Sequence, residues 1–242
     1  MRSAVLVDAV RTPFGRGKPG GALTGIHPAT LLATTLRTLA NRNDLDAGLV
    51  DDVIAGCVTQ VGDPTQNVAR TATLAAGFPE RVPSTTVDRQ CGSSQQAVHF
   101  AAQGVSADAY DIIIACGVES MSRVPMGSGV RGGEPHAPLA ERHPELPHQG
   151  IGAELVSSRW KISRDELDEF AARSHARAAA TAKSGGFDRE IVAVPLNDGR
   201  VHATDETIRN STDAAALASL SPAFTDEHYG ATYPKTIVEI PA

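Results

Sequence analysis

Two periods of apolar and polar positions alternate along the first half of the chain. Four short apolar runs carry few charges: Ala4-Val5-Leu6-Val7, residues 52–58, residues 82–87, and Ile112-Ile113-Ile114-Ala115. Runs of this length predict buried strands, and the last should be covered on both sides. Between them the spacing lengthens to that of a helix. Pro28 opens the first helix, with Leu31, Leu32, Thr35, Leu36 and Leu39 on one face. Val68, Ala72 and Ala75 form the small-residue face of a second, and Gly77 is its expected C-cap. Ala97, Ala101 and Val105 recur at four-residue spacing in a third. Strands alternating with helices predict an α/β fold: a parallel-rich sheet, right-handed crossovers and helices on both faces.

The pattern breaks after Ser122. Residues 123–150 carry Pro, Gly and His with little periodicity, the mark of a long excursion. Order returns over residues 152–160. Ser163-Arg164-Asp165-Glu166 is a capping-box pattern, and Leu167, Phe170, Ala171, Ser174 and Ala178 mark one face of the long helix that follows. Residues 187–195 read as a strand, Asn197-Asp198-Gly199 as a turn, and 214–220 as a short helix. The expected division is a core over 1–122, an α+β insertion over 123–224, and a divergent tail over 225–242. In that tail Thr236-Ile237-Val238-Glu239-Ile240 could form a short strand.

Composition then narrows the classes. Of 242 residues, 41% are hydrophobic and 21% charged, enough for one large domain or two small ones with an adequate core. The net charge of −6 comes from interspersed acids and bases, so no nucleic acid is expected as a partner. No apolar run reaches membrane-span length and no signal-peptide cleavage pattern is present, so no membrane partner is expected either. Cysteines 57, 91 and 116 have neither metal-ligand spacing nor a disulfide framework. Reduced thiols, a cytoplasmic location and no metal follow as expectations. Cys57 and Cys116 lie in or just after apolar strand runs and read as core. His143 and His148 sit in an irregular stretch without a partnering Cys or carboxylate pair, a poor metal set.

Candidate chemistry concentrates at Asp88-Arg89-Gln90-Cys91-Gly92-Ser93-Ser94, between a strand and a helix. Backbone N–H groups at a helix start are unpaired and the helix dipole is positive there, a field that favours a thiolate at Cys91. Gly92 allows close approach of a substrate. The plainer alternative is a small cysteine packed at a turn. The segment resembles the nucleophile region of the thiolases. Arg11-Thr12-Pro13-Phe14-Gly15, Gln66-Asn67-Val68-Ala69-Arg70 and Gly117-Val118-Glu119-Ser120-Met121-Ser122 match the same family in the same order, and the resemblance runs to about Phe224. The first of these motifs and the cysteine context argue against a ketoacyl synthase.

The resemblance implies a thiolase-like N-terminal half with an insertion that binds coenzyme A. It implies acyl transfer between coenzyme A thioesters through Cys91, in 3-ketoacyl-CoA thiolysis or acetyl-CoA condensation, within fatty-acid and lipid breakdown. His148 stands where the family contacts the pantetheine side, Arg209 near the nucleotide end, and Phe224 near the adenine. Gln149 stands where the family often has Met. From the residues alone, Arg209 is equally a solvated helix charge and Phe224 ordinary core. The expected substrate is acyl-CoA or acetyl-CoA, with no separate cofactor, in a homodimer or dimer of dimers. The family's Gly-His-Pro, Cys-x-Gly and Asn-Glu-Ala-Phe motifs, which handle protons and one oxyanion hole, do not occur in the sequence. The chain is therefore expected to be incomplete as an enzyme. The alternative is an inactive remnant that binds coenzyme A or pairs with a full-length relative.

Overall fold

Three parallel strands in the order β2-β1-β3 form the centre of the first unit. The computed structural model describes residues 2–144 and 146–224. Its elements are α1 (Pro28–Arg42), β1 (Asp52–Gly56), α2 (Val68–Ala75), β2 (Ser84–Val87), α3 (Ser93–Ser106), β3 (Ile113–Gly117), α4 (Gln149–Trp160), α5 (Arg164–Lys183), β4 (Val194–Pro195), β5 (Val201–His202) and α6 (Ala214–Ala218). Two units result, one of Met1–Arg131 with Phe187–Thr207, the other of Gly132–Gly186 with the described residues from Ile208. The tail strand expected at Thr236-Ile237-Val238-Glu239-Ile240 lies outside the described residues.

In the first unit, β1 is buried along its whole length, as its apolar run predicts. Alternate residues divide between two layers. Val53, Ala55 and Cys57 join Leu32, Leu36, Val68, Ala72 and Phe78 in one core beneath α1 and α2. α3 packs on the sheet from the opposite side, against β1 and β3. Helices thus lie on both faces. α1 starts at Pro28 behind a His27 cap whose Nδ1 accepts the Ala29 amide, and it buries Leu31, Leu32 and Leu36. α2 ends at Gly77, whose positive φ and amide bond to Leu74 O close the helix. Ala75, expected on the inner face, is exposed, and Ala69 and Thr73 are buried instead.

Four expected strands differ. Ala4-Val5-Leu6-Val7 lies in no strand, with Val5, Leu6 and Val7 exposed by 79%, 83% and 82%. No described strand pairs with it; it is tethered by Arg2 to Asp111 at 2.6 Å and by Asp8 to Arg42 and Asn43. β2 spans Ser84–Val87 and is half-exposed, because it borders the sheet. β3 buries only Ile114 for the same reason: it has β1 on one side and no described strand on the other. Residues 187–195 make one bridge, Ile191 to Arg11, and the two-residue β4, which turns through Asn197-Asp198-Gly199 into antiparallel β5.

Arg11 joins the chain start to this return segment. Its Nε donates to Glu190 Oε1 at 2.7 Å, its two terminal nitrogens to the Asp205 carboxylate at 2.7 and 3.0 Å. The guanidinium lies 5.2 Å from the ring centroids of both Phe14 and Phe187. Glu206 beside it accepts from the amides of Ala22 and Arg16 and from the Arg16 side chain, and these bonds hold its carboxyl down at about 2.

In the second unit the capping box at Ser163 is formed in full and starts α5. The inner face of α5 is not the expected one. Leu167 and Phe170 are exposed, while Asp168 is buried and bound by Arg164 Nε at 2.8 and 2.9 Å. The i,i+4 pair neutralises the carboxylate, and another Arg164 nitrogen donates to Leu217 O of α6, so a polar residue takes the inner position.

Candidate active site

Cys91 stands at the tip of a turn between the end of β2 and the start of α3, and it is exposed. The turn is built by its neighbours. Asp88 Oδ1 accepts the Gln90 amide at 2.7 Å, and Gln90 takes a left-handed φ of 50°. Ser93 Oγ accepts the Arg89 amide at 2.8 Å and donates to Gln90 O at 2.5 Å. The Arg89 guanidinium donates to Gln96 Oε1 one turn along α3. These bonds tie the cysteine turn to the first turn of the helix. The N-cap is Gly92, with no side chain capping α3; the Gly92 and Ser93 amides donate to Arg89 O and Gln90 O at 3.1 and 3.0 Å, and the positive end of the helix dipole lies beside the cysteine turn. That field is of the sign that stabilises a developing oxyanion.

The other two thiols are unsuited to this chemistry. Burial, with Glu119 nearby, pushes Cys57 up to about 12. Burial pushes Cys116 up to about 12, and its Sγ donates to Ile54 O at 3.6 Å. Glu119 braces the neighbouring strand end by accepting the Val58 and Thr59 amides at 3.0 and 3.1 Å.

His148, Arg209 and Phe224 belong to the second unit. His148 is the N-cap of α4: its Nδ1 accepts the Gly150 amide at 3.2 Å, which places the ring proton on Nε2 in the neutral form. The His148 and Phe224 ring centroids are 5.6 Å apart. Gly150 makes this possible, since a Cβ there would fall 1.9 Å from Phe224 Cζ. Arg209 is exposed and its amide donates to His175 Nδ1 at 3.2 Å; among the described residues its guanidinium has no ion pair. So His148 and Phe224 come together, and Arg209 rests on α5. Sequence reasoning missed Gly150, His175 and the Ser93 clamp. The Gly two positions after His148 was the only available hint. Among the described residues no three His, Cys, Asp or Glu side chains gather as a metal set. No described helix is long and apolar enough to cross a membrane.

Comparison with known proteins bears on this arrangement. The family model described as thiolase, N-terminal domain, matches residues 4–237. A steroid 3-ketoacyl-CoA thiolase of Mycobacterium tuberculosis is 43% identical over 232 residues, covering 92% of this chain and 56% of that protein. A 3-ketoacyl-CoA thiolase of Serratia proteamaculans is 41% identical over 237 residues, covering 93% of this chain and 58% of its own length. The crystal structure of the Bacillus anthracis acetyl-CoA acetyltransferase superposes with a TM-score of 0.78 at 36% identity, over 93% of this chain and 59% of that one. The chain therefore spans somewhat more than half the length of the relatives it matches.

Proposed function

The chain belongs to the thiolase family, and from that premise we propose that Cys91 accepts the acyl group of a coenzyme A thioester. The observation that carries the reading is the exposed sulfur of Cys91 at the uncapped start of α3. Sγ, as thiolate, adds to the thioester carbonyl carbon, and the positive end of the α3 dipole stabilises the oxyanion. The intermediate collapses by breaking the bond to the coenzyme A sulfur, which leaves as a thiolate and takes up a proton. The acyl group remains on Cys91, and a second coenzyme A thiolate reverses the steps. For a 3-ketoacyl-CoA the same attack at the 3-keto carbon would break a carbon–carbon bond and release an acetyl-CoA enolate, which needs a proton. The Gly-His-Pro and Cys-x-Gly residues that serve this in the family are absent from the sequence. Acyl exchange is thus the step that this chain's own residues account for.

His148, Phe224 and Arg209 are the proposed coenzyme A contacts: pantetheine at His148, adenine at Phe224, and phosphate at the exposed Arg209. By the same likeness we infer a homodimer, or dimer of dimers, in the cytoplasm; sedimentation measures the first and fractionation the second. The test of the main reading is incubation with acetyl-CoA followed by mass spectrometry of the Cys91 peptide. One acetyl group on Cys91, lost in Cys91→Ser, is expected. Acetyl-CoA left intact, with unmodified Cys91, would sink the proposal. Arg209→Ala should weaken coenzyme A binding about tenfold in calorimetry, as expected for a lost phosphate contact.

A further inference from the structure

We infer that Gly56 and Gly117 are positioning residues for Cys91: lacking side chains, they let the first turn of α3 rest on the ends of β1 and β3, which fixes where the sulfur is held. The inference rests on the reading of Cys91 as acyl acceptor. The two glycines end adjacent strands and are partners in the parallel register. Glycine weakens a strand interior and commonly marks a close approach of another backbone. Neither residue has a positive φ, so neither is required for its backbone angles. What each supplies is space.

A Cβ on Gly56 would stand 2.3 Å from the Ser94 amide nitrogen and 2.4 Å from the Ser93 carbonyl carbon. A Cβ on Gly117 would stand 2.7 Å from Ser94 Cβ and 3.1 Å from Gly56 O. Both clashes fall on the first turn of α3, and neither is with the far end of a flexible side chain. Any shift of Ser94 passes to Cys91, because Ser93, 4% exposed, bonds both Arg89 and Gln90 through its hydroxyl. Helix start and cysteine turn move together.

The two clashes differ in kind, and that difference makes the test. Ser94→Gly removes the atom that the methyl of Gly117→Ala would strike, but it leaves the backbone that the methyl of Gly56→Ala would strike. The readout is the rate of carbamidomethylation of Cys91 by iodoacetamide in the folded chain, followed by peptide mass spectrometry. Melting by circular dichroism is measured alongside. Cys57 and Cys116, both pushed up to about 12, stay silent while the fold is intact. Gly117→Ala and Gly56→Ala are each expected to slow Cys91 about tenfold, because the displaced turn changes the exposure and surroundings of the sulfur that the reagent must reach. Adding Ser94→Gly is expected to restore the rate in the Gly117→Ala background and not in the Gly56→Ala background. Wild-type-like or faster alkylation in folded Gly117→Ala overturns the inference, even if melting falls, because the glycine would then serve packing alone. Rescue in both backgrounds or in neither also overturns it. If Gly117→Ala does not fold, the double variant carrying Gly117→Ala and Ser94→Gly decides: folded with normal alkylation supports the inference, and unfolded or slow rejects it. Failure of acetyl transfer in the wild type would instead defeat the parent reading and leave these relative rates intact.

Discussion

At the scale of single residues, acid is the sharpest probe. The Ala22 and Arg16 amides hold Glu206 down from 4.5 to about 2, and Arg42 with Asn43 holds Asp8 from 3.8 to about 2. Both carboxyls have a lower pKa folded than unfolded, so their stabilisation is complete above the unfolded values and fades as pH falls towards about 2. Urea midpoints should therefore drop from about pH 4.5 downward, and Glu206→Gln should flatten part of that drop; an equal slope in wild type and variant would refute the assignment. The position of Cys91 was legible because a strand-like run and a helix-like face bracket it within a few residues. The clamp by Ser93 and the seat that Gly150 gives Phe224 were not, since both depend on how a turn closes in space. The same holds for Arg11, whose partners Glu190 and Asp205 are remote in sequence.

Among elements, apolar content alone misled at the strands. Val5, Leu6 and Val7 look like core yet are exposed, whereas Leu36 is 2% exposed beneath the sheet. Leu6→Lys should change stability by less than about 0.5 kcal/mol. Leu36→Ala should cost about 2–5 kcal/mol, through lost burial and the cavity left behind. Chemical unfolding of the two variants decides the matter, and a large loss at Leu6 would return that segment to the core. β1 was legible because a strand covered on both faces must be apolar throughout. β2 and β3 were over-read, because burial at a sheet border depends on what lies beside it, which no local pattern records. The inner face of α5 was misjudged for a related reason: the pairing of Asp168 with Arg164 overrides the apolar spacing of Leu167 and Phe170.

For the molecule as a whole, exposed apolar side chains on the first unit bear on self-association. Besides Val5, Leu6 and Val7, α3 exposes Val98 and Phe100. Solitary apolar side chains on a surface are ordinary, but a group of them promotes association. Val98→Lys with Phe100→Glu should raise the concentration at which light scattering detects self-association, and no change would show that these side chains are not involved. The first unit is also discontinuous in sequence, for its return segment arrives only after most of the second unit has been spelled out. At the ribosome, with synthesis at about 5–20 residues per second, the guanidinium of Arg11 emerges roughly 10–40 s before the Asp205 carboxylate that will grip it. For that interval the nascent chain carries a cation without the carboxylate that will grip it, and the clasp closes only once the return segment has been made.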